Sequence, residues 1–342
     1  MRRAHLSHPR SLAVVLVAAS LALAGCGGGS DDSGDETPAA QQVAGADELS
    51  SSWPLTGLPV SGDEEAAQDH PVIVAKMDNT EASAPQVGLG SADLVVEELV
   101  EGGLTRLAAF YYSDIPDLVG PVRSMRASDI GIVSPVDATI ATSGAAGVTI
   151  GRIKDAGISF YAEGSNGFER DSSRVAPYNL FANLQDVATE AQLDEPERPA
   201  DYLPWGSEDD FPQGQPAKSI AATFGGGHTT SWTYDGKGYV NENTYAGSGD
   251  TFPADTVLVL RVQVGDAGYL DPAGNPVPET KFTGKGEAMV FHDGRLVRGT
   301  WEKKDLGSPI SLSTKAGDLT VPAGHTWIEL VPAAGGNVTY QK

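Results

Sequence analysis

Three arginines stand close together in a chain that is otherwise strongly acidic. Arg106 ends "EGGLTR" (101–106), and Arg123 and Arg126 lie in "VGPVRSMR" (119–126), while the formal net charge of the whole chain is −23. A guanidinium is always charged and presents a planar fork of donors that matches a carboxylate or a phosphate. Pro121 fixes the approach to Ser124, a residue type that caps helices, so a helix is expected from Met125 with Arg126 in its first turn. A cation there opposes the helix dipole by about 0.3–1 kcal/mol and therefore calls for an anionic partner. The free N–H groups of that turn, with Arg123 and Arg126, would grip one anion, and Arg106 would complete the group from the preceding strand. Two kinds of partner are open: an external carboxylate or phosphate, or the chain's own Asp78, Glu97, Glu98, Glu101 and Asp129. A second polar knot, "FERDSSRVAPYNLF" (168–181), places Arg170, Arg174, Tyr178 and Asn179 ahead of the most regular helical pattern. It reads either as an extension of the first cluster or as a capping and turn segment.

Other chemistries find less support. Two carboxyls about 5–9.5 Å apart could serve as acid and base in glycoside hydrolysis, and Glu97 or Glu98 with Glu101, or Asp78, are the candidates for such a pair. His70, His228, His292 and His325 are scattered and form no H-E-x-x-H pattern, and there is no cysteine pair, so no metal site is expected. "GAAGVTIGRIKDAG" lacks the Gly-Lys-Ser/Thr ending of a phosphate loop, and no G-x-S-x-G elbow occurs, so no cofactor is expected. Nucleic acid is excluded as a partner because no basic run lies beyond the first ten residues.

The start of the chain sets its address. Arg2, Arg3 and Arg10 precede the apolar run "SLAVVLVAASLALAG", which leads to Leu23-Ala24-Gly25-Cys26. A basic start, an apolar core and small residues before a cut make residues 1–25 a secretory signal. Cys26, the chain's single cysteine, stands where a bacterial lipobox has its own, and that resemblance implies cleavage before Cys26 and lipid on its sulfur and new amino group. More than one acyl chain makes such anchoring stable. Losing the three arginines takes the net charge from −23 to −26. Residues 26–52, rich in Gly, Ser and acid, cannot bury enough surface to fold and read as a tether. The expected location is the extracytoplasmic face of the cell membrane, with the lipid on Cys26 as the membrane contact.

The elements that must position the arginines are of both kinds. "HPVIVAKMDN" (70–79), "LTRLAAFYYS" (104–113), "DATIATSG" (137–144) and "ISFYAEG" (158–164) read as strands, whereas "ADLVVEELVEGG" (92–103) fits strand or helix. Alternation in 104–113 puts Leu104, Arg106, Ala108, Phe110 and Tyr112 on one face. Helices are expected over 148–157 and over 179–192, the latter capped by Asn179. A Pro- and acid-rich connector (193–217), pinned by Tyr202 and Trp205, divides a mixed domain (53–192) from a β-rich domain (218–342). In the latter, Asp235-Gly236 and Asp293-Gly294 suit hairpin turns, "TVLVLRVQV" a central strand and "HTWIELV" the last one. The fold class is α+β.

"AKMDN", "APQVGL", "EGGLTR", "VGPVRSMR", "RVAPYNLF", "GRLVRGTW" and "AGHTWIELV" resemble, in order, the blocks of the YerB-like lipoproteins. The resemblance implies a three-layer N-terminal part, sheet on sheet with a helical layer, and a mostly antiparallel β C-terminal part. It carries over Asp78, Asn79, Gln86, Glu101, Thr105, Arg106, Arg123, Ser124, Arg126, Arg174 and Asn179 as the family's polar positions. Tyr178 stands where the family usually has His, and the segment near Tyr239 lacks the family's more basic character. The functional expectation is a lipid-anchored binding module whose arginine-lined cleft takes an anionic envelope ligand. Its rivals are a cell-wall hydrolase using Glu101 or Asp78, and an adaptor for another envelope protein. The expected site comprises Asp78, Asn79, Glu101, Arg106, Arg123, Ser124, Arg126, Arg174 and Asn179.

Overall fold

Alternation along a few strands decides the architecture. The computed structural model describes residues 51–62 and 64–342, so the signal, Cys26 and nearly all of the tether lie outside the described residues. The strands that matter here are β1 (Ile73–Asp78), β2 (Leu94–Leu99), β3 (Thr105–Tyr111), β4 (Thr139–Thr142) and β5 (Phe160–Ala162). After the connector come β6 (Ser219–Thr223), β7 (Thr229–Tyr234), β8 (Tyr239–Asn241), β9 (Thr256–Leu270) and β10 (Pro276–Lys281). β11 (Gly284–His292), β12 (Arg295–Lys303), β13 (Thr326–Pro332) and β14 (Asn337–Gln341) complete the set. Among the described residues the largest sheet has 13 strands, and its central order is β12-β11-β9-β13-β2-β3-β1-β4-β5.

Both faces of this sheet are covered, which is why β1 and β13 are continuously buried rather than half polar. Val72, Val74, Ala108, Phe110, Tyr112, Ile328 and Leu330 point into one core, with Ile130, Ile132 and Val133 of α1 (Asp129–Val133) and Ile153 of α2 (Gly147–Asp155). Ile73, Ala75, Met77, Leu107, Ala109, Trp327 and Val331 point into the other. There they meet Leu184 and Val187 of α3 (Leu184–Glu190) and a four-stranded sheet of order β8-β7-β6-β14. The class is α+β. No helix among the described residues is long and apolar enough to cross a membrane.

Several local expectations shift. No helix begins at Met125: α1 starts at Asp129, and residues 123–126 are extended loop. The cap position is Ser128, which makes no side-chain cap bond, and Asp129 in the first turn reaches back, its Oδ2 accepting from the Arg126 N–H at 2.6 Å. The helix of 179–192 is only α3, because Leu180–Ala182 instead pairs with Phe168–Arg170 as a short hairpin. Its cap is Asn183, whose side chain accepts from the N–H groups of Gln185 and Asp186. Residues 92–103 resolve as strand β2 followed by a single 3-10 turn, Glu101–Gly103. Asp293 and Gly294, at φ 47° and 65°, form a two-residue turn, whereas the Asp235-Gly236 loop spans four residues. β13 is not the last strand, since β14 follows it. Within the connector, Tyr202 is buried with its hydroxyl donating to the Ile132 carbonyl, and the Trp205 indole N–H donates to the Pro54 carbonyl.

Candidate functional site

The neighbouring ends of β1, β2 and β3, on the face that carries α1 and α2, open into a cleft of about 390 Å³. Register builds its floor: Asp78 of β1 and Glu98 of β2 both stand opposite Arg106 of β3. Residues 119–123 run beside the end of β1, where Val122 bridges Met77 and the Arg123 N–H donates to the Lys76 carbonyl at 2.7 Å. This sets Arg123 against Asp78, with 2.5 Å between Nη1 and Oδ2. The following turn is pinned from β4, where the Thr142 hydroxyl donates to the Arg123 carbonyl and accepts from the Met125 N–H. Arg126 is thereby aimed at the Glu101–Gly103 turn, where its Nε and Nη2 hold both oxygens of Glu101 at 2.7 and 2.8 Å.

Arg106 has a different environment. It is 7% exposed, and among the described residues no carboxylate pairs with it. Its Nη1 donates at 2.7 Å to the Ser124 carbonyl, which also accepts from Arg126 at 3.3 Å. Burial, together with the like charges of Arg126 and Arg123, pulls its pKa down to about 10. Arg126 moves upward, because the hydrogen bonds and charge of Glu101 outweigh burial. Glu101 moves downward for the same reason in reverse. Two of the three guanidiniums thus have a directly paired carboxylate, and the one without is the most buried of the three.

Of the two kinds of partner left open by the sequence, Arg123 and Arg126 take the internal one, Asp78 and Glu101. Glu98 and Asp129 are committed elsewhere, to the buried Lys76 at 2.9 and 2.7 Å. Glu97 faces the opposite side of the sheet.

Six of the nine expected site residues line the cleft: Asp78, Glu101, Arg106, Arg123, Ser124 and Arg126. The other three do not. Asn79 follows the strand alternation to the opposite face, where its amide donates to Glu97 and to Thr105. Asn179 accepts from Arg170 and donates to the Asp171 carbonyl, which keeps the 171–179 loop in shape. Arg174 donates to the Ser83 and Pro85 carbonyls, lies 5.1 Å above the Phe181 ring and lines a separate groove. Gln86, carried over by resemblance, donates to the Asp78 carbonyl and so supports the site from behind.

Thr80, Asp271 and Asn275 escaped the sequence reading, and Tyr178, named there in the second polar knot, is not among the expected site residues. Thr80 donates to Asp78. Tyr178 supplies a ring 5.0 Å beneath Arg123. Asp271 and Asn275, at the tip of the β9–β10 hairpin, form the far wall, with Asn275 donating back to Asp271. That hairpin lies far along the chain, and it is held here by packing on β2 and the Glu101–Gly103 turn and by contacts to α2, through Arg152 to Glu279 and Thr149 to Tyr269.

Comparison with known proteins agrees with this geometry at the level of fold. Residues 55–197 match the N-terminal domain, and residues 220–328 the C-terminal domain, of a family described as protein of unknown function (DUF3048). Over 295 residues, 82% of this chain and 86% of the relative, the sequence is 25% identical to a protein named "Putative lipoprotein YerB" from Bacillus subtilis (strain 168). The crystal structure of the YerB protein from Bacillus subtilis superposes with a TM-score of 0.69 at 20% identity, covering 84% of this chain and 99% of that one.

Proposed function

The chain belongs to the YerB-like lipoprotein family, and from that premise we propose that it binds one carboxylate group of an envelope component in the cleft at Arg106, while lipid on Cys26 holds it at the extracytoplasmic face of the membrane. One observation carries the reading. Arg106 is a nearly buried cation without an ion-pair partner among the described residues, facing a cavity whose other cations are already matched. A buried charge is costly unless paired. A single carboxylate would supply the partner that Arg106 lacks, because the third acid of the lining, Asp271, is held by Asn275 on the far wall rather than by an arginine. Planar, bidentate donors suit a carboxylate, and Tyr178 offers an aromatic wall beside it.

The hydrolase alternative fares worse on the same geometry. A general acid must hold a proton near neutral pH, yet Glu101 is gripped at both oxygens by Arg126 and kept below the ordinary carboxylate range. Asp78 is likewise occupied, by Arg123 and Thr80.

Calorimetric titration of the full chain in detergent tests the proposal, using a short peptide with a free C-terminal carboxylate, its C-terminal amide, and inorganic phosphate. The acid should bind more tightly than the amide and than phosphate, and Arg106→Gln should weaken it roughly tenfold or more, the worth of one charge-assisted hydrogen bond. Equal binding of acid and amide, or a folded Arg106→Gln protein with unchanged affinity, would overturn it.

A further inference from the structure

On the opposite face of the same sheet lies a second ionisable cluster that the cleft does not use. Glu97 of β2 and Glu329 of β13 are register partners on adjacent parallel strands, and both are fully buried. Their environments differ sharply. Glu97 is surrounded by donors: Asn79 at 3.0 Å, the Thr230 hydroxyl at 2.9 Å, the Trp327 indole at 3.3 Å and His228 Nε2 at 2.9 Å. For Glu329, Oε1 accepts from the Trp232 indole at 2.8 Å, but among the described residues no donor is aligned on the buried Oε2. An acceptor oxygen left without a donor in a closed interior is explained if that oxygen carries a hydrogen itself.

We propose that Glu97 and Glu329 hold one proton between them, on Glu329, and that with His228 they form a proton-dependent latch fastening the four-stranded sheet to the central sheet behind the rim of the arginine cleft. The titratable groups facing the pair are each other and His228. The remaining neighbours, Asn79, Thr105, Thr230, Trp232 and Trp327, are neutral, and Asp78 and Arg106 project to the other face. The latch connects to the cleft because Gly227, which precedes His228, lies directly on Gly102 and Gly103 of the Glu101–Gly103 turn. A Cβ on Gly227 would come within 2.5 Å of the Gly103 carbonyl oxygen.

The direction of the pH effect follows from each member. Burial, then the charge of Glu97, pushes Glu329 well up. It therefore favours the folded form below the ordinary glutamate value of about 4.3, and that favour is lost as pH rises through its raised pKa. Burial opposes the charge on His228, but the hydrogen bond and charge of Glu97 prevail and raise its pKa. Its contribution is complete below the ordinary value of about 6.5 and disappears as pH rises through the raised one. Glu97 is moved the other way, since His228 and the hydroxyls outweigh burial, and it weakens the latch only in acid. The latch is tightest in mildly acidic solution and loosens toward alkaline pH.

The Phe224 amide, which donates to the His228 carbonyl at 3.0 Å, reports on it. In the full chain in detergent, hydrogen-exchange protection at Phe224, corrected for intrinsic rate, should fall severalfold, on the order of tenfold, between about pH 6 and about pH 9. Glu329→Gln keeps an acceptor for Trp232 and offers an N–H to Glu97 but cannot ionise, so it should shrink that fall. It should also remove part of the protonated-carboxyl infrared band at neutral pH. A flat profile in the unmodified chain overturns the proposal without any variant, as does a Glu329→Gln protein that keeps the whole fall. No ligand is added in these measurements, so failure of the carboxylate-binding reading leaves them unaffected.

Discussion

Lys76 sits between two carboxylates, Glu98 and Asp129, with all three side chains sealed from solvent. One cation cannot fully satisfy two buried anions. Burial tends to discharge the lysine, yet both acids together hold its pKa up. Glu98 is raised by burial and by Asp129, against the pull of Lys76. Removing the cation should therefore be severe: Lys76→Ala is expected to cost about 3–5 kcal/mol in urea unfolding at neutral pH, the cost of stranding buried charge. The loss should shrink as pH falls toward the ordinary carboxylate range, because a protonated Glu98 no longer needs the lysine. At this scale the sequence was informative about type and poor about pairing. The arginine concentration and the acids able to meet it were legible from residues 78–129. Which acid takes which cation was not, because Glu97 and Glu98 are neighbours in sequence yet face opposite sides of a sheet. His228 looked like an isolated histidine, since its partner Glu97 lies in another part of the chain.

Elements were legible where a local pattern and the tertiary environment agreed. Strand β1, the short helix α2 and the Asp293-Gly294 turn follow directly from an apolar run, from helical spacing closed by Gly157, and from a dipeptide that accepts positive φ. The pattern misled where a cap residue occurred twice. Asn179 and Asn183 both precede apolar residues at helical spacing, and the earlier one fits the longer helix. The structure uses the later, because Leu180 and Ala182 bond to the 119–122 segment and to Phe168–Arg170. Those bonds hold the arginine loop in place, which a longer helix would forfeit. Asn183→Ala should then cost about 1 kcal/mol by denaturant unfolding, the usual worth of an N-cap, with weakened exchange protection confined to α3. Asn179→Ala should leave α3 intact and loosen the 171–179 loop through Arg170. If Asn179→Ala frays the helix and Asn183→Ala does not, the capping assignment is wrong.

At the scale of the whole molecule, two sequence domains make one sheet. β13 lies parallel to β2 on one side and to β9 on the other, so a strand from near the C-terminus is inserted between the two halves. The sequence suggested a break at 193–217, and composition there does change, but composition cannot reveal that β2 lacks its neighbour until β13 arrives. The described residues accordingly form one compact unit. Glu97 and Glu329 meet only across this seam, and the arginine cleft borrows its far wall from the β9–β10 hairpin. Neither half alone owns a complete site. A fragment ending at residue 217 would expose the edge of β2, with its unpaired backbone groups and apolar faces. Residues 53–217 and 218–342, expressed separately, should each lack a cooperative unfolding transition. The intact chain should unfold in one transition, with tryptophan fluorescence and far-ultraviolet circular dichroism superimposing. Trp53 belongs to the first part, and Trp232, Trp301 and Trp327 belong to the second. Replacing those three with phenylalanine would make Trp53 and Trp205, on the N-terminal side of the seam, the remaining fluorescence reporters. Two separable transitions would show that the halves are stable apart and that the shared sheet is a contact between domains rather than the core of one.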